Sequence, residues 1–286
     1  MATKINNIDK DFEDANVHCV NINGAIKSPP DDRDWNWESR AASRSEGPQE
    51  TPPKEYSLLA YCQPIRDQEQ TSTCVAQSVA CIREVQEYLE TANSWSMSPL
   101  FIYSQRVNIP SDGMYGRDAM SILCKKGICL EQSMPFNQQN VDVYPTNFCF
   151  QEADDLKSKN YAKIISIIGA KRAIMQNGPL LILLPAYSSR SKFWLPLYKN
   201  QESEGGHAVT IIGWTTVGFI LRNSWGKDWA DHGYTILPFK EFKLAYECWS
   251  LVDDATIYVP LSLRQSSSAQ HQNLTFCEKI KRLFNK

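Results

Sequence analysis

Apolar positions fall into two rhythms along this chain. Between Cys74 and Tyr88 the repeat is helical: Val75, Val79 and Ile82 follow i, i+4, i+7, with Cys81, Val85 and Tyr88 on an adjacent stripe. Glu84, Glu87 and Glu90 fall between them, so the pattern predicts a buried helix with one wet edge. Thr71, Ser72 and Thr73 are candidate caps for its start. Ser98-Pro99 opens a second predicted helix running through Phe101, Tyr103 and Val107. A third is expected from about Arg117 to Lys126, stopped by Gly127. The rhythm then changes. Leu180 to Leu184, Ala208 to Gly213 and Phe219 to Leu221 are short apolar runs between Gly and polar turns, which read as strands of a small barrel or sandwich. A helical segment, Gly169 to Gln176, precedes the first of them. The expectation is an α+β chain with a helical lobe near 57–150 and a β-rich lobe near 151–262, without internal repeats.

The flanks differ from this body. Residues 1–56, including Ser28-Pro29-Pro30-Asp31-Asp32-Arg33-Asp34-Trp35 and the stretch Ser43 to Pro53, are rich in Pro, Ser and charge, with little periodicity. Three readings of this extension stay open: a flexible tail, a short pro-segment over a cleft, or an arm packed on the domain by Trp35 and Trp37. At the other end, residues 263–286 form a polar linker and a basic tail. Leu274, Ile280, Leu283 and Phe284 recur there at near-helical spacing among Lys279, Lys281, Arg282 and Lys286. Such a segment can bind an anionic membrane or a partner, but more often packs on its own protein or frays.

Composition narrows the function classes. A formal net charge of −2 over 286 residues leaves no electrostatic footprint for nucleic acid. The start, Met1 to Lys10, lacks an apolar h-region, and no apolar run approaches the ~18 residues of a transmembrane helix. The 9 cysteines are an odd number. With no signal segment the expectation is reduced thiols in a cytoplasmic or other reducing compartment, host cytoplasm or a virion if the source is viral. Neither Cys74/Cys81 nor Cys124/Cys129 has Cys-x2-Cys spacing, and only 4 histidines are present, so a zinc site is not expected.

The candidate chemistry lies in three motifs. Gln68 stands six positions before Cys74, itself at the start of the first helix. Downstream come Gly205-Gly206-His207-Ala208-Val209 and Arg222-Asn223-Ser224-Trp225-Gly226. His207 and Asn223 fall within the roughly 130–150-residue window beyond Cys74 expected for a Cys-His-Asn arrangement. A thiol is a poor nucleophile until it becomes a thiolate, and a helix N-terminus and an adjacent imidazolium both favour that form. Taken singly, each residue has an ordinary alternative: a small buried hydrophobe for Cys74, a half-buried strand histidine for His207, turn residues for Gln68 and Asn223.

Together these motifs resemble the papain (cathepsin-like) cysteine peptidase family over roughly Ser57 to Tyr258. Pro30-Asp31-Asp32-Arg33-Asp34-Trp35 is similar to what precedes the domain in divergent bacterial and large DNA virus members. The resemblance implies a two-lobe fold with the cleft between a helical N-terminal lobe and a β-barrel-like C-terminal lobe. It implies Cys74 as nucleophile, His207 as acid/base, Asn223 as its orienter, and Gln68 with the Cys74 N–H as oxyanion donors. Trp225 and Trp229 match the family's aromatic roof over the Asn–His contact. Gly113-Met114-Tyr115 resembles the Gly-Gly-Tyr that lines the cleft. With Gly206 and Trp225 these complete the expected substrate contacts. Ser133-Met134-Pro135-Phe136 resembles a structural Tyr-Pro-Tyr stretch. The implied partner is a polypeptide substrate, with the N-terminal segment as an intramolecular inhibitor; no cofactor is implied.

The departures from the family pattern carry information too. Thr71-Ser72-Thr73-Cys74-Val75 stands where Cys-Gly-Ser-Cys-Trp is usual. Thr71 removes a half-cystine that normally pins the loop, and Val75 removes an aromatic beside the nucleophile. The short stretch from Val107 to Gly113 has no room for a His-bearing occluding loop, so an endopeptidase is expected rather than a dipeptide-trimming enzyme. Two rivals remain at this level: a catalytically idle module of the same fold, used for binding or structure, and an isopeptidase or acyl-transferase using the same residues.

Overall fold

The computed structural model describes residues 20–39 and 51–252; the rest of the N-terminal extension and the basic tail lie outside the described residues. In chain order the elements are β1 (Ala25–Ile26), β2 (Tyr56–Ser57), a 3-10 turn, α1 (Cys74–Thr91), α2 (Pro99–Tyr103), β3 (Met114–Tyr115), α3 (Gly116–Lys125) and α4 (Asn147–Asp154). They continue with β4 (Asn160–Lys163), α5 (Ile167–Asn177), β5 (Leu180–Ala186), β6 (Gly205–Trp214), β7 (Gly218–Arg222), β8 (Tyr234–Pro238), a second 3-10 turn and β9 (Glu247–Val252).

Local signals explain most boundaries. Ser98 accepts a hydrogen bond from the Phe101 N–H with Pro99 in the first helical position, so α2 starts where the sequence says it should. It is shorter than expected: it ends at Tyr103, and Val107 is 72% exposed. Thr146 and Ser166 cap α4 and α5 in the same way. Gly127, with φ of +77°, follows the end of α3, a backbone state in which a Cβ is strained.

The strands β4, β9, β5, β6, β7 and β8 form one antiparallel sheet in that order, with β2 added to β6. Strand β5 is buried on both faces, and its side chains alternate between two cores. Leu180, Ile182 and Leu184 join α5 and the aromatic residues Phe193, Trp194, Trp214 and Trp225. Leu181 and Leu183 join α1, α2 and α3 instead. The sheet thus has one helical layer against one face and a second, barrel-like core on the other.

Helix α1 lies between these parts and is buried from Cys74 to Glu87. Val75, Val79, Ile82 and Val85 are fully covered, each burial stabilising by roughly 1.5–3 kcal/mol. The expected wet edge shrinks to Glu90, which is exposed. Glu84 accepts hydrogen bonds from the Arg66 guanidinium and the Met97 N–H. Glu87 pairs with Arg83 one turn earlier. Charged residues at helical spacing look like a solvated face, but here they bond inward, because buried partners replace water.

Candidate active site

Cys74 opens α1, so its thiol sits among first-turn N–H groups that have no intrahelical partner. Thr73 is the N-cap residue but does not cap with its side chain. Its hydroxyl instead meets the Thr71 hydroxyl at 2.7 Å and the Gln77 amide at 3.3 Å. This polar stitch holds the loop at the position where Thr71 replaces a half-cystine. All seven cysteines among the described residues are free thiols.

Two stretches far apart in sequence run side by side beneath the thiol. Asp67 pairs antiparallel with Trp225, the Gln68 N–H donates to the Ser224 carbonyl at 2.8 Å, and the Gly226 N–H donates to the Arg66 carbonyl at 3.0 Å. Gly226 has φ of +77°, and a Cβ there would come within 2.9 Å of the Asp67 carboxylate. The Ser224 hydroxyl donates to Gln68 Oε1 at 2.7 Å, which turns the Gln68 Nε2 donor toward the Thr71 carbonyl at 2.8 Å. Gln68 is thereby clipped to the residue next to Asn223.

His207 lies on β6, fully buried. Its Nε2 is 2.7 Å from Asn223 Oδ1, an acceptor that also takes the Ser224 N–H at 2.8 Å. Because the oxygen accepts, Nε2 carries the proton, and Nδ1, which has no hydrogen-bond partner, is left as the basic nitrogen. Trp225 stacks on the imidazole with ring centroids 4.1 Å apart. Phe193 meets the imidazole edge-on at 5.0 Å, and Trp229 packs against Trp225 at 5.4 Å. The ring is held by one hydrogen bond and a covering of aromatic faces.

The cleft is filled by the chain's own N-terminal arm. A Cβ on Gly24 would stand 2.7 Å from Cys74 Sγ and 2.6 Å from the Ser72 carbonyl oxygen. The Gly24 carbonyl accepts from the Met114 N–H at 2.9 Å, and β1 continues from there as a parallel partner of β3. On the opposite wall a Cβ at Gly206 would meet the Ala25 carbonyl at 2.3 Å, so only glycine admits a main chain so close. Gln68 Nε2 also reaches the Asn21 carbonyl at 3.4 Å, and the Asn21 amide donates to the Ser72 hydroxyl at 3.0 Å.

Burial sets the protonation state of the pair. Burial pushes the Cys74 thiol up to about 12, outweighing the N–H groups of Ala208, Val75, Cys74 and Gly24 that favour the thiolate. Burial also lowers His207 to about 4, against the opposite pull of its bond to Asn223. With the arm seated, thiol and imidazole are both neutral.

The family model described as "Papain family cysteine protease" matches residues 53–246. The chain belongs to the papain family of cysteine proteases. Members of this family are peptide-bond hydrolases, and the protease is similar to an uncharacterized peptidase C1-like protein of Acanthamoeba polyphaga mimivirus. That match is 28% identical and covers 64% of this chain and 68% of the viral one. It is also similar to a cathepsin B-like protein of Giardia intestinalis, 25% identical, where the match covers 53% of this chain and 54% of that relative's length. Among solved structures it superposes on xylellain, a cysteine protease from Xylella fastidiosa, with a TM-score of 0.68 at 23% identity, covering 81% of this chain and 96% of that one. It also superposes on a procathepsin B from Trypanosoma congolense, with a TM-score of 0.63 at 16% identity, covering 81% and 86%. These structural likenesses carry the fold: a papain-like α+β two-lobe architecture.

Of the residues singled out in the sequence, Cys74 heads α1, His207 and Asn223 are hydrogen-bonded to each other, Gln68 is tied to Ser224, and Gly113, Met114, Tyr115 and Gly206 lie against the N-terminal arm. Trp225 is 2% exposed, under the histidine rather than along the cleft floor. Two contributors escaped the sequence reading: Ser224, which orients Gln68, and Phe193, which braces His207. A pro-segment over the cleft is one of the open readings of residues 1–56, but its place at residues 21–28 is not singled out there, although the alternation of Val20, Ile22 and Ile26 is a period-2 signal for an extended segment. No helix among the described residues is long and apolar enough to cross a membrane.

Proposed function

We propose that this protease is an endopeptidase kept latent by its own N-terminal arm. The observation that carries the peptidase reading is the convergence of Cys74 at a helix N-terminus with a His207 fixed by Asn223 and a Gln68 clipped beside them. With the arm away, water re-enters, and the first-turn N–H groups favour the thiolate while His207 Nδ1 takes the proton. Cys74 Sγ then adds to the scissile carbonyl carbon. The carbonyl oxygen takes the charge and meets the Gln68 Nε2–H and the Cys74 N–H, a donor being worth roughly 10²–10³ in rate. As the C–N bond breaks, His207 delivers its proton to the leaving amine. Water, deprotonated by His207, hydrolyses the thioester and restores the thiol. Asn223 holds the ring in one tautomer without adding a charge.

Extended substrate would take the place of the arm, its main chain bonding to the Met114 N–H beside Gly113 and Tyr115, with Gly206 opposite. The stretch from Val107 to Gly113 contains no histidine, which supports internal cleavage over trimming of chain ends. Latency is supported by the contact of Gly24 with Cys74 and by the neutral thiol and imidazole of this buried arrangement.

The test is intact mass after treatment with an epoxide inhibitor of cysteine peptidases, on the wild type and Cys74→Ala, with parallel assay of internally quenched peptides. A single adduct confined to the wild type, slow to form in the uncut chain and fast once limited proteolysis has released the arm, with hydrolysis within the peptide only then, supports the reading. Loss of hydrolysis with a fully labelled Cys74 would favour a module that binds without turnover.

A further inference from the structure

The arm is held at two places that differ in kind. Its first part, residues 21–28, lies in the cleft, held mainly by hydrogen bonds, with Ile22 and Ala25 as its buried apolar residues. The Met114 N–H binds the Gly24 carbonyl, the Ser28 N–H donates to Glu247 Oε1, and the Arg117 N–H donates to the Ser28 hydroxyl. Its second part, residues 34–38, is built into the body. Asp34 takes a two-pronged bond from Arg117, with Nε to Oδ1 at 2.6 Å. The Lys163 N–H donates to the Trp35 carbonyl at 2.7 Å, and Asn36 bridges to Lys163. Trp37 is 5% exposed inside the core cluster that contains Ile164, Ala170 and Ile174. The Glu38 carboxylate takes the Ser166 N–H and hydroxyl at 3.0 and 2.9 Å, completing the N-terminus of α5.

Between the two parts lies a tight turn. The Asp34 N–H closes onto the Asp31 carbonyl at 3.0 Å, and the Arg33 N–H and guanidinium bond to the Asp31 carboxylate. Pro29, Pro30, Asp32 and Arg33 are exposed. Exposed turns flanked by anchored segments are where proteases cut.

We infer that the activating cut falls in the turn Pro29–Arg33, so that residues 34–38 stay in the active enzyme as part of its core and only the cleft segment leaves. This rests on the latency reading above. The step is hydrolysis of one peptide bond in the turn: water supplies the hydroxyl to the new carboxyl and the hydrogen to the new amine. The agent is an endopeptidase acting in trans. Gly24 occupies the nucleophile, and the turn lies five or more residues further along, roughly 15 Å or more at strand spacing, so the chain's own Cys74 cannot reach it while the arm is seated. Once cut, the cleft segment loses its covalent tie to the Trp37 anchor and dissociates. A cut nearer the start of β2 has the opposite result, because both parts of the arm remain joined to each other and seated.

The experiment replaces Pro30–Arg33 in the full chain with the recognition sequence of a site-specific protease, and in a second protein puts the same sequence at residues 51–54. Each is cut, diluted and treated with the epoxide, and Cys74 labelling is followed by mass. Cutting the turn is expected to speed labelling at least tenfold with the melting temperature held to within a few degrees; cutting at 51–54 is expected to leave labelling slow. Slow labelling after the turn is cut, or equal acceleration from both cuts, would overturn the inference. Peptide hydrolysis is read separately: fast labelling without hydrolysis sinks the endopeptidase reading and leaves the inference standing. Hydrolysis before any cut, with labelling unchanged by it, does the reverse.

Discussion

Gly24 and Cys74 touch: a side-chain carbon on the glycine would have to occupy space 2.7 Å from the Cys74 sulfur and 2.6 Å from the Ser72 carbonyl. Backbone cannot yield there as a flexible side chain would. Gly24→Val should therefore expel the cleft segment rather than reshape the loop. The expected result is faster epoxide labelling of Cys74 in the uncut chain, by an order of magnitude or more. The melting temperature should fall only modestly, because the Trp37 anchor is untouched. Unchanged labelling would mean that the arm does not limit access to the thiol.

Removing one donor or one orienter tests the assigned chemistry separately from access. In the turn-cut enzyme, Gln68→Ala should lower kcat by roughly 10²–10³ with little change in KM, because the amide is used mainly as charge develops on the substrate oxygen. Asn223→Ala frees the His207 ring, and a drop of roughly 10²-fold in kcat is expected, the lower end of what positioned acid–base catalysis contributes. Steady-state kinetics on one peptide decides both. A Gln68 variant that raised KM and spared kcat would place the amide in ground-state binding instead.

Much of this site was legible in the sequence because its parts are local patterns. A helix with a cysteine at its first residue, a Gly-His-Ala-Val strand and an Asn-Ser-Trp-Gly turn each announce themselves within a few residues. What joins them did not. The Ser224 hydroxyl on Gln68 and the Phe193 edge on His207 are contacts across the fold, set by the antiparallel run of 66–68 against 224–226 and by sheet packing. The same limit explains Glu84 and Glu87: their spacing matches a wet helix edge, and only the folded neighbours Arg66 and Arg83 reveal buried pairs. Residues 34–38 match one of the open readings, an arm packed on the domain, but through Trp37 alone, because Trp35 is 52% exposed. Their Pro-rich, charged surroundings suppress any periodic signal, and a single Trp37 in the core leaves no repeat to detect.

The Trp37 anchor carries its own prediction. Truncating it leaves a large cavity beside Ile164 and Ile174 that the sheet cannot close, and Trp→Ala changes in such cores cost roughly 3–5 kcal/mol. Trp37→Ala should lower the denaturant midpoint of the turn-cut enzyme as much as that of the uncut chain, if residues 34–38 belong to the body in both. An effect confined to the uncut chain would assign Trp37 to the departing segment.

Acid should loosen the arm, in a direction fixed by His207. Its pKa is lowered to about 4 by burial, and the seated arm adds to the cover that Trp225 and Phe193 already provide. In the opened cleft of Cys74→Ala, where no thiol shares its proton, the pKa should return toward its ordinary value near 6.5. The open state therefore binds a proton that the closed state refuses, across the window from about 6.5 down to about 4. As pH falls through that window, protonation favours opening, and the stability that a neutral, covered His207 lends the closed state is lost. The linkage amounts to at most roughly thirtyfold in the opening equilibrium between pH 8 and pH 5, reached when the ring returns fully to its ordinary value. Hydrogen exchange of the Met114 N–H, which bonds Gly24, reads this opening directly once intrinsic exchange rates are corrected for pH. A pH-independent protection factor in Cys74→Ala, with the fold intact, would show that the arm's seating is not coupled to the histidine. The wild type should show a weaker dependence over the same window. There the proton lost by the thiol on opening is the one the imidazole gains, so opening takes up no net proton until the thiolate itself begins to titrate.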